Sequence, residues 1–298
     1  MTQTSSDPGQ PTQPDRPQNL DRPKNPDRPK NPDRYAHGHH DSVLRSHRWR
    51  TADNSAAYLL ERLRPDHRLL DVGTGPGTIT VDLARRLPGG WVTGIDSAEP
   101  AVAATRALAV EQGVQISVEV GNVYALAFPD ASFDVVHAHQ VLQHLRDPVA
   151  ALVEMRRVTR PDGIVAARNA DYAAMTWFPA DRRLDRWLEL YHQVARAAGG
   201  EPDAGRRIRH WAQCAGFENL TCTASTWCFA DSADVSWWSQ TWSERIVSSA
   251  FADQALDAGL TTSAELAELS AGWRWWGDQP EAWFAVLHGE LLAEVGET

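Results

Sequence analysis

The chain has 298 residues, with 39 acidic side chains against 29 lysines and arginines and a formal charge of −10. An acidic chain with no lysine or arginine stripe in its core lacks the phosphate-holding surface of enzymes that act on DNA or RNA. No stretch reaches the length of an apolar membrane span, and Cys214, Cys222 and Cys228 are odd in number and lack a CxxC pair. Buried thiols in a soluble, cytoplasmic protein are therefore expected, and a metal site is not.

Residues 1–34 stand apart. The block Asp21-Arg22-Pro23-Lys24-Asn25-Pro26 is repeated at 27–32 and foreshadowed at 15–20, a six-residue period without an aromatic residue. Such a segment cannot bury a core and is expected to be an extended tail, neither signal peptide nor transit sequence. Without it, the remaining length suits one large domain over 35–298. Next come Tyr35, His37, His39 and His40, ahead of an expected helix containing Arg45, His47, Arg48, Trp49, Arg50 and Thr51. A histidine has a pKa suited to proton removal at neutral pH, and an arginine can pair with a carboxylate. A solvated surface loop is the alternative reading of the same residues.

Leu69, Leu70 and Val72 make a short apolar strand around Asp71, followed at once by Gly73-Thr74-Gly75-Pro76-Gly77. Closely spaced glycines let the backbone turn sharply and let a ligand approach the main chain without meeting a Cβ. Ile79, Leu83 and Leu87 then recur at helical spacing, predicting a helix over 78–87. Strand, glycine turn and helix together describe a turn that holds an adenosyl cofactor. The dinucleotide fingerprint would require its third glycine where Thr78 stands, which argues against a nicotinamide enzyme.

A second strand over 91–96 ends in Asp96, with Ser97 behind it, about twenty residues past the glycines, where ribose hydroxyls need an acceptor. The plainer reading of Asp96 is a cap for the helix that begins near Pro100. A third strand over 116–120 leads into Gly121-Asn122-Val123, and a fourth over 133–139 ends at His139 and runs on through Gln140 to His144. Asp147-Pro148 opens a helix ending near Thr159, and a turn at 160–163 enters a fifth strand at 164–167. Five strands alternating with helices over 69–170 argue for an α/β fold, a mostly parallel sheet covered on both faces. Eleven of the thirteen tryptophans lie after residue 170, with Trp237, Trp238, Trp242, Trp273, Trp275 and Trp276 crowded together. They fill the core of an added helical cap or wall a cavity. Trp237 and Trp238 are adjacent and cannot both face one core from a helix, which favours a cavity.

The run Asp71-Val72-Gly73-Thr74-Gly75-Pro76-Gly77 resembles motif I of the S-adenosylmethionine (SAM)-dependent methyltransferases with a Rossmann-like fold. The resemblance is strongest to the ubiquinone and menaquinone biosynthesis branch, extends from about residue 35 to the end, and includes the strand-four region. It implies a seven-stranded, mostly parallel sheet with helices on both faces. The last two strands, at 218–229 and 283–292, follow a helix over 205–215, the final one is antiparallel, and a cap insertion lies at about 230–280. It also implies SAM as cofactor. Gly73, Thr74, Gly75 and Gly77 would cradle it, Asp96 and Ser97 would meet the ribose, and Asn122 and Val123 the adenine. The family usually carries an acidic residue where Asn122 stands, although an amide carbonyl can also accept a hydrogen bond. His139 and Gln140 would line the methionine end, as would His144 unless it is a structural hydrogen-bonder. The N-terminal segment would close over the cofactor, so Tyr35, His39 or His40 would touch cofactor or substrate and supply a base, and Arg50 would pair with the cofactor carboxylate. Asp171, just past strand five, is a further catalytic candidate.

Tyr172, Trp177, Trp237, Trp238 and Trp242 are the expected substrate contacts. Aromatic walls suit a planar acceptor and a sulfonium cation, pointing to a small aromatic or heteroaromatic metabolite, indole-like, in secondary metabolism. The competing reading is a non-catalytic SAM-binding or sensing protein whose aromatic surface meets a partner. Monomer and homodimer both remain open.

Overall fold

The computed structural model describes residues 49–296. Tyr35, His39, His40 and the repeat tail lie outside the described residues.

Thr51 opens the described helices. Its Oγ1 accepts from the Asn54 amide while the Asn54 side chain accepts from the Thr51 amide, a reciprocal cap that starts α1 at Ala52–Ser55. Trp49, Arg50 and Thr51 therefore precede the helix instead of lying inside one, and α2, Ala57–Leu60, follows. The nucleotide-fold half runs β1 (Arg68–Val72), α3 (Thr78–Arg85), β2 (Trp91–Asp96), α4 (Glu99–Glu111), β3 (Ser117–Val120), β4 (Phe133–His139), α5 (Pro148–Val158) and β5 (Thr159–Ala170). The expected turn at 160–163 is absorbed into an irregular start of β5, where the register with β4 shifts and Asp162 takes a φ of 62°.

The strand order is β3-β2-β1-β4-β5, all parallel, followed by antiparallel β8 (Trp283–Glu294). One edge of β8 pairs first with β6 (Thr176–Phe178) and then with β5, while β7 (Asn219–Phe229) pairs along its other edge. The sheet thus has eight strands, not seven. The added strand, β6, is three residues long, too short to show a period-two pattern in the sequence.

Alternation along the strands sorts two apolar layers. Leu70, Val72, Val136 and Ala138 face α5 and α7 (Ile208–Cys214) on one side. Leu69, Val135 and Ile164 face α3 and the first helices on the other. A third core gathers α6 (Arg182–Ala197), α8 (Ser232–Ser248), α9 (Ala250–Asp257) and α10 (Ser263–Gly277) around Trp187, Trp242, Trp273, Trp276 and Phe284. Helices α8 to α10 fill the expected insertion between β7 and β8. Helix α6 went unread, although Leu184, Trp187, Tyr191 and Val194 carry the helical spacing that signals it.

The expectation of buried thiols is corrected, because all three cysteines are exposed. β7 is an edge strand, and Cys222 and Cys228 fall at exposed positions along it. Among the described residues no cluster of His, Cys, Asp and Glu suits a metal ion, and no helix is long and apolar enough to cross a membrane.

Candidate functional site

Parallel strands bring their carboxyl ends to one edge of the sheet, and there β1 ends at the glycine turn, β2 at Asp96, β4 at His139 and β5 at Ala170. These four ends open into one cavity, whose far wall is built by Trp49, Trp227 and the cap residues Trp237, Trp238, Trp242 and Arg245.

At the turn, Gly73 has a φ of 78°, and a Cβ there would lie 2.4 Å from Val141 Cγ2. Only glycine lets the turn fit beneath the loop that follows β4. Gly77 serves another purpose than the one expected of it: it is not among the lining residues, and its missing Cβ would sit 2.7 Å from Thr105 Cγ2 and 2.8 Å from the Thr105 Cα. It allows α3 to start against α4. Gly77→Ala, at a φ of 89°, is expected to cost about 1–3 kcal/mol of stability, with cofactor affinity falling only as far as the turn shifts. Thermal melts alongside calorimetry would check this, and a variant of unchanged stability would contradict it.

Asp96 holds the turn as well as facing the cavity. One carboxylate oxygen accepts from the Gly75 amide at 2.9 Å and the other from the Ala98 amide at 3.0 Å. The helix cap expected of Asp96 is not made, because α4 starts from Ala98 without a side-chain cap and Asp96 braces the loop before it; each carboxylate oxygen keeps a second acceptor position for a ribose hydroxyl. Thr74, Ser97, Gly121 and Val123 also line this half, with Ile95, Ala101 and Leu145 as an apolar slot for a flat ring. Asn122 does not line it. Its side-chain oxygen accepts from the Tyr124 amide at 3.0 Å and shapes the loop.

Beneath the turn, the Asp71 carboxylate accepts from His137 Nδ1 at 2.7 Å and from Thr80 Oγ1 at 2.5 Å, a buried brace between β1, β4 and α3. Gln140 has a φ of 53°, a left-handed conformation that a non-glycine residue holds only under constraint from its surroundings. The constraint is visible: Gln140 Oε1 accepts from Arg50 at 2.9 Å, and its Nε2 donates to His288 Nε2 at 2.9 Å. The other ring nitrogen of His288 then donates to the Val286 carbonyl at 3.1 Å. This chain aims the Arg50 guanidinium, 5.5 Å from the centre of the Trp227 ring, into the cavity.

His139 lines the cavity 6% exposed, and neither ring nitrogen has a hydrogen-bond partner among the described residues. Burial, reinforced by the Arg50 and Arg168 charges, holds its pKa well below the usual histidine range. The same causes lower His288, and burial with the Arg50 charge brings His144 down to about 3. All three are neutral at pH 7. Behind them Arg168 is 1% exposed, ion-paired with Glu290 at 3.3 Å and lies 4.8 Å from the Trp227 ring centre. Burial lowers its pKa to about 10, with Glu290 opposing the shift.

Two expected site residues lie elsewhere. Asp171 is buried outside the cavity lining, and its carboxylate takes hydrogen bonds from the Arg206 amide, Nε and Nη2 at 2.6–3.0 Å, leaving it no role as a base. Trp177 stacks on Phe284 at 5.6 Å and meets Trp187 edge-on in the cap core, because β6 pairs it with β8. Tyr172 does line the cavity, stacked on Tyr191 at 3.9 Å. Trp227, Trp49, Val141 and Arg245 line it without having been singled out. Trp227 carried one available signal: it is an aromatic residue on a strand whose other side chains are mostly small or polar.

These features fit SAM. The glycine turn admits its backbone approach, Asp96 offers acceptors for two hydroxyls, the apolar slot suits adenine, and Arg50 offers a cation for a carboxylate.

Comparison with known proteins agrees. Residues 70–167 match the family model described as a methyltransferase domain. The chain is 36% identical over 273 residues to an uncharacterized methyltransferase of Schizosaccharomyces pombe, covering 88% of this chain and 97% of that protein. It is 34% identical over 141 residues to a demethylmenaquinone methyltransferase of Roseiflexus castenholzii, covering 46% and 56% of the two chains. Among solved structures, the YcgJ protein from Bacillus subtilis superimposes with a TM-score of 0.52 at 18% identity, over 81% of this chain and 98% of that one, a likeness of fold.

Proposed function

Because this chain belongs to the SAM-dependent methyltransferases, we propose that it methylates a small aromatic or heteroaromatic metabolite held beneath the tryptophan cap. The observation that carries this reading is the continuity of one cavity from the glycine turn to the rings of Trp49, Trp227, Trp237, Trp238 and Trp242. When bound, the cofactor supplies an electrophilic methyl carbon that an acceptor nucleophile displaces in line. The protein's contribution to such a displacement is mainly to hold the nucleophile at near-contact distance and alignment.

The chain's own groups divide this work. Asp96, with Ser97 at its side, takes the ribose hydroxyls, and Arg50, aimed by Gln140 and His288, takes the cofactor carboxylate. The ring faces of Trp49 and Trp227 exclude water and favour positive charge near them. Neutral His139 orients a polar atom at the methionine end, since its depressed pKa makes it a poor proton acceptor. Where the acceptor must lose a proton, Tyr35, His39 and His40 are the groups to test. An indole-like ring matches the aromatic walls best and would place the enzyme in secondary metabolism, in the cytoplasm.

Titration calorimetry with SAM and its demethylated product, followed by incubation with indoles, phenols and quinols and a mass readout for an added methyl, tests the proposal. A methylated product confined to one ring class supports it, and methylation of aliphatic acceptors alone would reject it. Both Trp237 and Trp242 line the cavity, but Trp237 is half-buried whereas Trp242 is 1% exposed and also packs in the cap core. Trp237→Ala is therefore expected to spare folding and cofactor affinity and to raise the acceptor KM roughly two- to tenfold, the size of one lost aromatic contact. Normal kinetics in that variant would remove Trp237 from the acceptor wall.

A further inference from the structure

The charges lining the cavity are unevenly divided. Its carboxylates among the described residues, Asp71 and Asp96, both belong to the glycine-turn half. The cap half contains Arg245, 4% exposed, and no Asp or Glu among the described lining residues. Trp238, Trp242 and Arg245 recur on α8 at i, i+4 and i+7, so one helix face presents two indoles and a guanidinium to the cavity. The guanidinium lies 4.6 Å from the Trp242 ring centre, and its charge reaches the phenol of Tyr172. The buried Trp238 Nε1 has no hydrogen-bond partner among the described residues. Taken together, the cap half holds two indoles set edge to face at 84°, a cation and an indole N–H donor.

We propose that the acceptor is an aromatic carboxylate, its ring against Trp238 and Trp242 and its acid group on Arg245, with the Trp238 N–H as a second donor. This rests on the aromatic-acceptor reading above and names the feature that selects among aromatic rings. A carboxylate matches the planar guanidinium fork, and in a water-poor cavity a charge-assisted pair discriminates strongly against a neutral analogue of the same shape. A single Arg245 contact also fixes the ring's register relative to the glycine turn. It thereby decides which ring atom faces the methyl donor. Arg50 is already drawn to the opposite end by Gln140, so the two arginines serve two different carboxylates.

The test compares acid and amide pairs, 4-hydroxybenzoate with 4-hydroxybenzamide and indole-3-carboxylate with indole-3-carboxamide, by calorimetry on full-length protein saturated with S-adenosylhomocysteine. In at least one pair the acid is expected to bind at least tenfold more tightly. Arg245→Gln should erase that preference, and Arg245→Lys should retain part of it. S-adenosylhomocysteine affinity should stay within twofold of the parent in both variants. Equal binding of acid and amide to the parent protein overturns the proposal, and this comparison stands even where a variant fails to fold. A parallel loss of S-adenosylhomocysteine affinity in a folded Arg245→Gln would overturn it by assigning Arg245 to the cofactor. Binding by neither acid nor amide of either ring would instead reject the aromatic-acceptor reading, and this proposal with it.

Discussion

Replacing Asp96 with alanine is expected to weaken SAM binding roughly 10- to 150-fold, the equivalent of about 1.5–3 kcal/mol for lost charge-assisted hydrogen bonds. The effect has two sources. The carboxylate is the acceptor at the end of β2 that faces the cavity, and it also fixes the Gly75 and Ala98 amides. Asp96→Asn, which keeps one carbonyl oxygen, should fall between parent and alanine variant. Because Asp96 is only partly buried and the turn is further pinned by the Gly73 and Thr74 amides on the Ile95 carbonyl, the melting temperature should change little. Titration calorimetry with SAM and S-adenosylhomocysteine reads the result directly. A dissociation constant unchanged in Asp96→Ala would remove Asp96 from the cofactor site and leave it as a brace for the loops at Gly75 and Ala98.

The second large effect is in pH. His139 and His288 are buried, at 6% and 0% exposure, and burial first, then nearby arginines, holds both well below the usual histidine pKa. A base whose folded pKa is depressed binds its proton more readily in the unfolded chain. The stability it contributes is therefore complete above the unfolded value near 6.5, and it is lost as pH falls from there toward the folded value. Between pH 7 and pH 5 His144, held at about 3, should cost about 2 kcal/mol, and His139 and His288 should add to the loss in the same direction, before most carboxylates begin to titrate. Denaturant unfolding at pH 7, 6 and 5 measures this. A free energy of unfolding that is level across that range would mean these rings are not held neutral. His288→Asn, which cannot take up the proton, should reduce the loss. Cofactor affinity of the folded protein should hold over the same range, since His288 stays neutral there and keeps the Gln140 and Arg50 chain in place.

Much of the cofactor half was legible in the sequence. The glycine turn, Asp96 at the end of β2 and the strand ending at His139 were all readable because they are local: a period of two, an abrupt glycine cluster and a helical spacing each occupy a few consecutive residues. The errors there concern what a residue touches rather than where it sits. Gly77 lies in the glycine turn and Asn122 just past β3 as expected, yet one packs against Thr105 and the other holds the Tyr124 amide. Asp171 likewise sits just past β5 as expected, but Arg206, thirty-five residues further on, occupies its carboxylate.

The cap divides differently. Its tryptophan content was plain from composition, but composition does not say which ring faces a cavity. Trp177 was assigned there and instead stacks on Phe284, while Trp227 and Arg245 were passed over and line the cavity. Trp227 is brought to the site by the pairing of β7 with β8, and Arg245 by the packing of α8 against α10 and the end of β7, contacts between segments far apart in the chain. The sequence by itself determined the parallel α/β core, the glycine turn at the end of β1 and a tryptophan-rich segment after residue 170, because each is encoded by neighbours along the chain. Only the tertiary structure decided which rings and which arginine line the cavity, because long-range strand pairing and helix packing select the face that each element turns inward.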